Sequence, residues 1–144
     1  MQSLAALCVA KLVDTGHVKY TSLVTDYWPE FGAHGKDNVT VEMLASHQAG
    51  LAAIDQPITI GVCVCALGKK QSSDDVRSQS RMSKLFEEQT PNWAPNEYAF
   101  GYHAITYGML LSQLVQRVDS KHRTVPQYFA DEILVGTGKL IHDK

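Results

Sequence analysis

An apolar stripe is the strongest constraint on how this chain can fold. Tyr107, Leu110, Leu111, Leu114 and Val118 recur at helical spacing, and a stripe that wide must bury itself against a partner surface. The spacing predicts a helix over about 103–118, with Gln113, Gln116 and Arg117 facing away. A second stripe, Leu4, Leu7, Cys8 and Leu12, predicts a helix over 2–14 that Gly16 ends. Thr124 to Gln127 spells Thr-x-x-Gln with proline in the first turn, a capping box. The helix it opens is expected to run to about Leu134 and to bury Phe129 and Ile133. Residues 38–51 read as a further helix, with Thr40 as N-cap, Glu42 at the positive end of the helix dipole and Gly50 as the stop.

Strand signals are few. Residues 17–24 alternate loosely and fit a short strand or an extended turn, and residues 57–67 fit a strand or a buried apolar run. Residues 27–31 form an aromatic knot broken by Pro29, read as a loop packed on the core. Residues 69–83 are polar and serine-rich and read as a mobile loop. The stretch 68–84 is expected to be a flexible loop or insertion, the least ordered internal part. Residues 85–89 suit one or two helical turns, 91–96 a turn-rich linker, and the last ten residues should fray. There is no internal repeat. The pattern is mainly helical, and 144 residues suit one domain.

Composition removes several classes of function. The formal net charge is −2 and the 13 basic residues are scattered, unlike the basic stripe of a nucleic-acid binder. No apolar run approaches the roughly 20 residues of a membrane-spanning helix. Residues 1–10 are apolar but have no basic segment before them, and Lys11 follows them, so they read as structure and not as a signal peptide. Cys8, Cys63 and Cys65 are an odd set with one Cys-x-Cys, which is not a disulfide framework. These features predict an intracellular, cytoplasmic protein. Cys63 and Cys65 with His47 or His103 are the one candidate zinc or copper set. Zinc sites show Cys-x2–4-Cys pairs and four clear ligands, so no metal is expected, and His47 reads as a hydrogen-bonded structural histidine.

Four stretches carry a resemblance. They are LVDTG at 12–16, DYWPEFGAHGK at 26–36, VTVEMLASHQAGL at 39–51 and PNWAPNEYAFGYHAITYGMLLSQLVQRVD at 91–119. In order and spacing they resemble the serine β-lactamase-related, penicillin-binding-protein-like hydrolases, which include class C β-lactamases, carboxypeptidases and β-lactamase-fold esterases. The resemblance implies a partial helical region of the α/β serine β-lactamase/transpeptidase-like fold, without its large antiparallel sheet. It implies acyl transfer on a small-molecule ester or amide, with no cofactor.

Such enzymes attack a carbonyl with the serine of a Ser-x-x-Lys at a helix start. A tyrosine from a second motif sits beside that serine as base or proton relay. Tyr102 matches this tyrosine; read from composition alone it is an aromatic anchor at a helix start. Ala104 stands where the second motif often has asparagine, which removes one substrate-binding amide. Counting back from Gly16 places the lysine near Gln2 and the serine before Met1, and no Ser-x-x-Lys occurs in the 144 residues. Cys8-Val9-Ala10-Lys11 is the nearest imitation, but it lies mid-helix with Cys8 on the apolar face, and it reads as core. Thr137-Gly138-Lys139 reverses a Lys-Thr-Gly third motif. The expectation is a truncated form or fragment of such a hydrolase, inactive alone, with a non-catalytic scaffold or binding module as the alternative. If the family packing is kept, Tyr102 should lie beside residues 1–5, because proton transfer needs heavy atoms about 3 Å apart.

Overall fold

A computed structural model describes residues 2–57, 73–95 and 99–135, and for 73–80 only the helical backbone. Helix α1 spans Gln2–Asp14 and buries Ala5, Cys8, Val9 and Leu12. Thr15 closes it by returning its hydroxyl to the Lys11 carbonyl, and Gly16 leaves it with φ +77°. Short 3-10 turns follow at Val24–Asp26 and Pro29–Gly35. The stretch expected to be a strand or extended turn supplies one antiparallel bridge, Leu23 to Thr40. Among the described residues no strand forms. The aromatic knot packs as expected: Trp28 and Phe31 are fully buried, with ring centroids 5.1 Å apart.

Helix α2 is shorter than the sequence predicts, Val41–Ala45 instead of 38–51. Thr40 does cap it, accepting the Met43 N–H at 3.1 Å. It stops early because the Ser46 hydroxyl bonds back to the Glu42 carbonyl and His47 turns the backbone to φ +66°. A short hydroxyl side chain that offers the backbone an alternative partner favours a helix end over a helix interior.

Over 73–84 the next element is a helix where a loop was expected across 68–84. Helix α3 spans Ser73–Glu88; residues 68–72 lie outside the described residues, as do 58–67 and 136–144. From Ser73 to Glu88 there is no glycine or proline to break a helix, and Met82 and Phe86, one turn apart, are buried anchors. Helix α4 spans Thr106–Val118, and α5 spans Val125–Phe129, continued by a wider π turn over Ala130–Leu134. At the start of α5 the Gln127 side-chain oxygen accepts both the N–H and the hydroxyl of Thr124, each at 3.0 Å. The α5 anchors are Val125 and Tyr128, while Phe129 and Ile133 are half-buried against the core.

Helix α1 packs on α4 and α5, α2 packs on α4, and α3 packs on α4 and on the turns at Pro29–Gly35. One consequence concerns Gln113 and Arg117, expected on an outward face. Gln113 is buried, and Arg117 lies with its guanidinium 4.0 Å from the centre of the Trp28 ring, bonding Ser83 Oγ at 3.1 Å and Gln113 Oε1 at 2.9 Å. These side chains meet α3, which is why a reading that saw a loop there turned them to solvent. Lys36 closes the far end of α3. Its buried ammonium donates to the carbonyls of Glu87 at 3.1 Å and Gln89 at 2.6 Å. Desolvation pushes its pKa down to about 8, opposed by the nearby Glu87 carboxylate.

Candidate active site

The turn before α4 is where the sequence-predicted residues meet. Tyr102 sits on it, 61% exposed, and its hydroxyl donates to Gln2 Oε1 at 3.1 Å, across a sequence separation of 100. The expected neighbourhood of Tyr102 and the first turn of α1 is therefore present. The Gln2 carboxamide also donates to the carbonyls of His103 at 3.3 Å and Ala104 at 3.0 Å. Helix α4 begins at Thr106 and not at His103 because residues 102–104 form their own turn, closed by the Ala104 N–H on the Tyr102 carbonyl.

Two histidines hold that turn in place. The His103 ring is buried; its Nε2 accepts the Leu51 N–H at 2.9 Å, and its Nδ1 stands 2.6 Å from the Gly101 carbonyl. A carbonyl only accepts, so Nδ1 carries the proton and the ring is neutral. His47 Nδ1 accepts the His103 backbone N–H at 3.1 Å, and the His47 ring stacks on Tyr107 at 4.3 Å and lies 5.2 Å from the Tyr102 ring. Burial lowers the pKa of both rings; for His103 the Gly101 carbonyl opposes this and the neighbouring His47 adds to it. His47 is thus the hydrogen-bonded histidine the sequence suggested. Both ring nitrogens of His103 are committed to backbone groups, leaving no lone pair for a metal. Cys63 and Cys65 lie outside the described residues. Among the described residues no group of three or more His, Cys, Asp or Glu side chains is placed to hold an ion.

Trp93 forms the outer wall, edge-on to His103 at 5.6 Å. A side chain at Gly101 would enter the Trp93 ring, and one at Gly50, where φ is +72°, would meet the Trp93 carbonyl. Glycine at both positions is what lets the Trp93 segment lie against the 47–51 and 101–103 turns. Thr106 extends the clamp by donating its hydroxyl to the Leu51 carbonyl at 2.6 Å. Sequence reasoning found Tyr102 and His47, weighed His103 only as a metal ligand and gave no binding role to Gln2 or Gly101. The bonds of Gln2 to the Tyr102 turn and of His103 to Leu51 join residues 52 to 102 positions apart, where no local pattern reaches.

Cys8 is core, as expected. Its thiol faces the Val125 carbonyl at 3.7 Å, and burial pushes its pKa up to about 11, away from the reactive thiolate. With Lys11 on the neighbouring half-buried flank, Cys8-Val9-Ala10-Lys11 is not assembled as a nucleophile pair.

The Tyr102 hydroxyl is thus held against the first turn of α1, and the turn that carries it is walled by Trp93 through Gly101 and His103. Comparison with known proteins places the chain in a family. The family model described as Beta-lactamase matches residues 3–136, and the chain belongs to that family. The esterase/beta-lactamase LipL of Mycobacterium tuberculosis (strain ATCC 25618 / H37Rv) is 29% identical over 120 residues, covering 83% of this chain and 24% of LipL. Among solved structures, a family VIII carboxylesterase superposes with a TM-score of 0.73 at 31% identity, over 91% of this chain and 32% of its own. A penicillin-binding protein homologue from Caulobacter crescentus gives 0.73 at 34% identity, over 95% and 33%. EstA from Arthrobacter nitroguajacolicus Rue61a gives 0.75 at 34% identity, over 95% and 32%. The chain thus spans about a quarter of the first relative and about a third of the solved structures. Among the described residues no helix is long and apolar enough to cross a membrane.

Proposed function

We propose that this chain is the tyrosine-bearing helical part of a β-lactamase-related serine hydrolase that transfers acyl groups from small-molecule esters or amides. In this reading Tyr102 handles the proton of an attacking hydroxyl, and the nucleophile comes from outside these 144 residues. The observation that carries it is the contact of the Tyr102 hydroxyl with Gln2 at the start of α1, where the resemblance calls for the Ser-x-x-Lys lysine. The esterase and penicillin-binding-protein homologue among the similar structures support the substrate class. A second reading, a non-catalytic module that binds without turnover, is favoured by one observation: no Ser-x-x-Lys occurs in the sequence. Mapping the 5′ end of the encoding transcript separates the two, since the first reading requires the nucleophilic serine to be encoded upstream and in frame, ahead of Gln2.

For the 144-residue polypeptide itself both readings give the same expectation. It will not hydrolyse a chromogenic short-chain ester above background and will show no acylation burst, because a tyrosine without a nucleophile forms no acyl-enzyme. A fluorescent serine-reactive phosphonate checks this. Stoichiometric labelling at one serine, with turnover that disappears in Tyr102→Phe, would overturn it, and Ser3 is the first position to examine.

A further inference from the structure

Gln2 is tied to the Tyr102 turn at both ends of its carboxamide. The nitrogen faces two carbonyl oxygens, those of His103 at 3.3 Å and Ala104 at 3.0 Å, and the oxygen faces the Tyr102 hydroxyl at 3.1 Å. Carbonyl oxygens only accept, so the end of the amide that meets them must be the NH2. Flipping the amide would set oxygen against oxygen twice. With the amide oriented by the backbone, its own oxygen has no proton to give, and the phenol is left to donate.

We infer that Gln2 is the positioning residue that sets the hydrogen-bond polarity of Tyr102: the phenol proton points inward to Gln2, and the phenol oxygen is presented outward as an acceptor. The group it would receive is a hydroxyl or an N–H of a ligand or of an attacking residue, not a carbonyl or carboxylate oxygen. This rests on the reading of Tyr102 as the residue that meets the reacting hydroxyl, and it deepens that reading. A carboxamide is neutral and too weak a base to store a proton. Gln2 therefore orients the phenol without supplying the positive charge that an ammonium at the same place would bring. The exposed position of Tyr102 leaves its outward side open to such a donor.

The two halves of the bridge can be cut separately. Gln2→Ala removes both, Gln2→Glu keeps an acceptor for the phenol and loses the donors to the carbonyls, and Gln2→Lys keeps donors and loses the acceptor. Each is made in the full 144-residue chain carrying tyrosine labelled at the ring carbon that bears the hydroxyl. The Tyr102 signal is assigned by its loss in Tyr102→Phe, and the other tyrosines serve as internal controls. Gln2→Ala and Gln2→Lys should each displace the Tyr102 signal beyond any movement of the controls, and Gln2→Glu should restore it towards its wild-type position. The backbone should respond in the other pattern. Exchange of the Tyr107 N–H, which donates to the His103 carbonyl, should quicken roughly five- to tenfold in Gln2→Ala and Gln2→Glu, as one lost hydrogen bond gives, and stay slow in Gln2→Lys. A Tyr102 signal that moves no more than the controls in both Gln2→Ala and Gln2→Lys overturns the inference, as does a failure of Gln2→Glu to restore it. That failure is distinct from failure of the functional reading, which is decided by the transcript and by serine labelling and not by the ring signal.

Discussion

Among the described glycines, Gly50 combines a positive φ with a blocked Cβ position. Its φ of +72° is one that L side chains rarely adopt, and the Trp93 carbonyl and Pro91 ring occupy the space a Cβ would need. Gly50→Ala should lower stability by about 1–3 kcal/mol, read as a shift in the urea midpoint, with Gly16→Ala as a comparison that has positive φ but open space around it. Ionisation adds two acid-labile contributions. His47 and His103 are held neutral, with pKa values below the ordinary 6.5. The unfolded chain therefore takes up these protons first as pH falls, so stability is full above about 6.5 and declines below it towards the lowered folded values. Asp119 is gripped by the Arg123 guanidinium at 2.9 and 3.0 Å, which holds its pKa at about 2 against an ordinary 3.8. Its contribution, about 2 kcal/mol, is complete above pH 4 and is lost as pH falls from there to 2. A stability–pH curve on the wild type and on Asp119→Asn should show the lower step disappear while the upper step remains. An upper step that survives in His103→Gln would assign it to His47.

At the scale of elements, legibility followed burial. Helix α1, helix α4 and the start of α5 were readable because an amphipathic stripe and a capping box are written in consecutive residues. Helix α3 was not, since serines, aspartates and arginines suit a loop as well as a solvated helix; the buried anchors described on it are Met82 and Phe86, in its last two turns. The candidate site was readable as far as Tyr102 and His47, which sit in the motif stretches. Its geometry was not, because Gln2, His103 and Trp93 act through partners distant in sequence. The α3–α4 seam is a direct test of how the misread element is held. Arg117→Lys keeps the charge but loses the planar stack on Trp28 and most of the fork to Ser83 and Gln113. It should cost about 1–2 kcal/mol and quicken amide exchange over 81–88 while leaving 5–12 unchanged; equal acceleration in both segments would mean that the seam is not local.

The whole molecule is organised around α1, whose buried side chains meet α4 and α5 in one core. We expect the chain to unfold as one domain. Leu12→Ala, at a side chain 2% exposed, should cost about 2–5 kcal/mol and lower a single transition that far-ultraviolet circular dichroism and tryptophan fluorescence report at the same urea concentration. Separate midpoints for the two signals would divide the chain into independently stable parts.

The bond between residue 2 and residues 102–104 also dictates an order of events during synthesis. Helix α1 leaves the ribosome well before its partners, because the surface that shelters Cys8, Val9 and Leu12 is translated about a hundred residues later. At roughly 5–20 residues per second, its apolar face waits some 5–20 s without its partners, long enough for chaperone capture or mispairing between neighbouring nascent chains. Ribosome-stalled chains ending before residue 100 should leave α1 open to protease, and chains in which residue 118 has cleared the exit tunnel should begin to protect it.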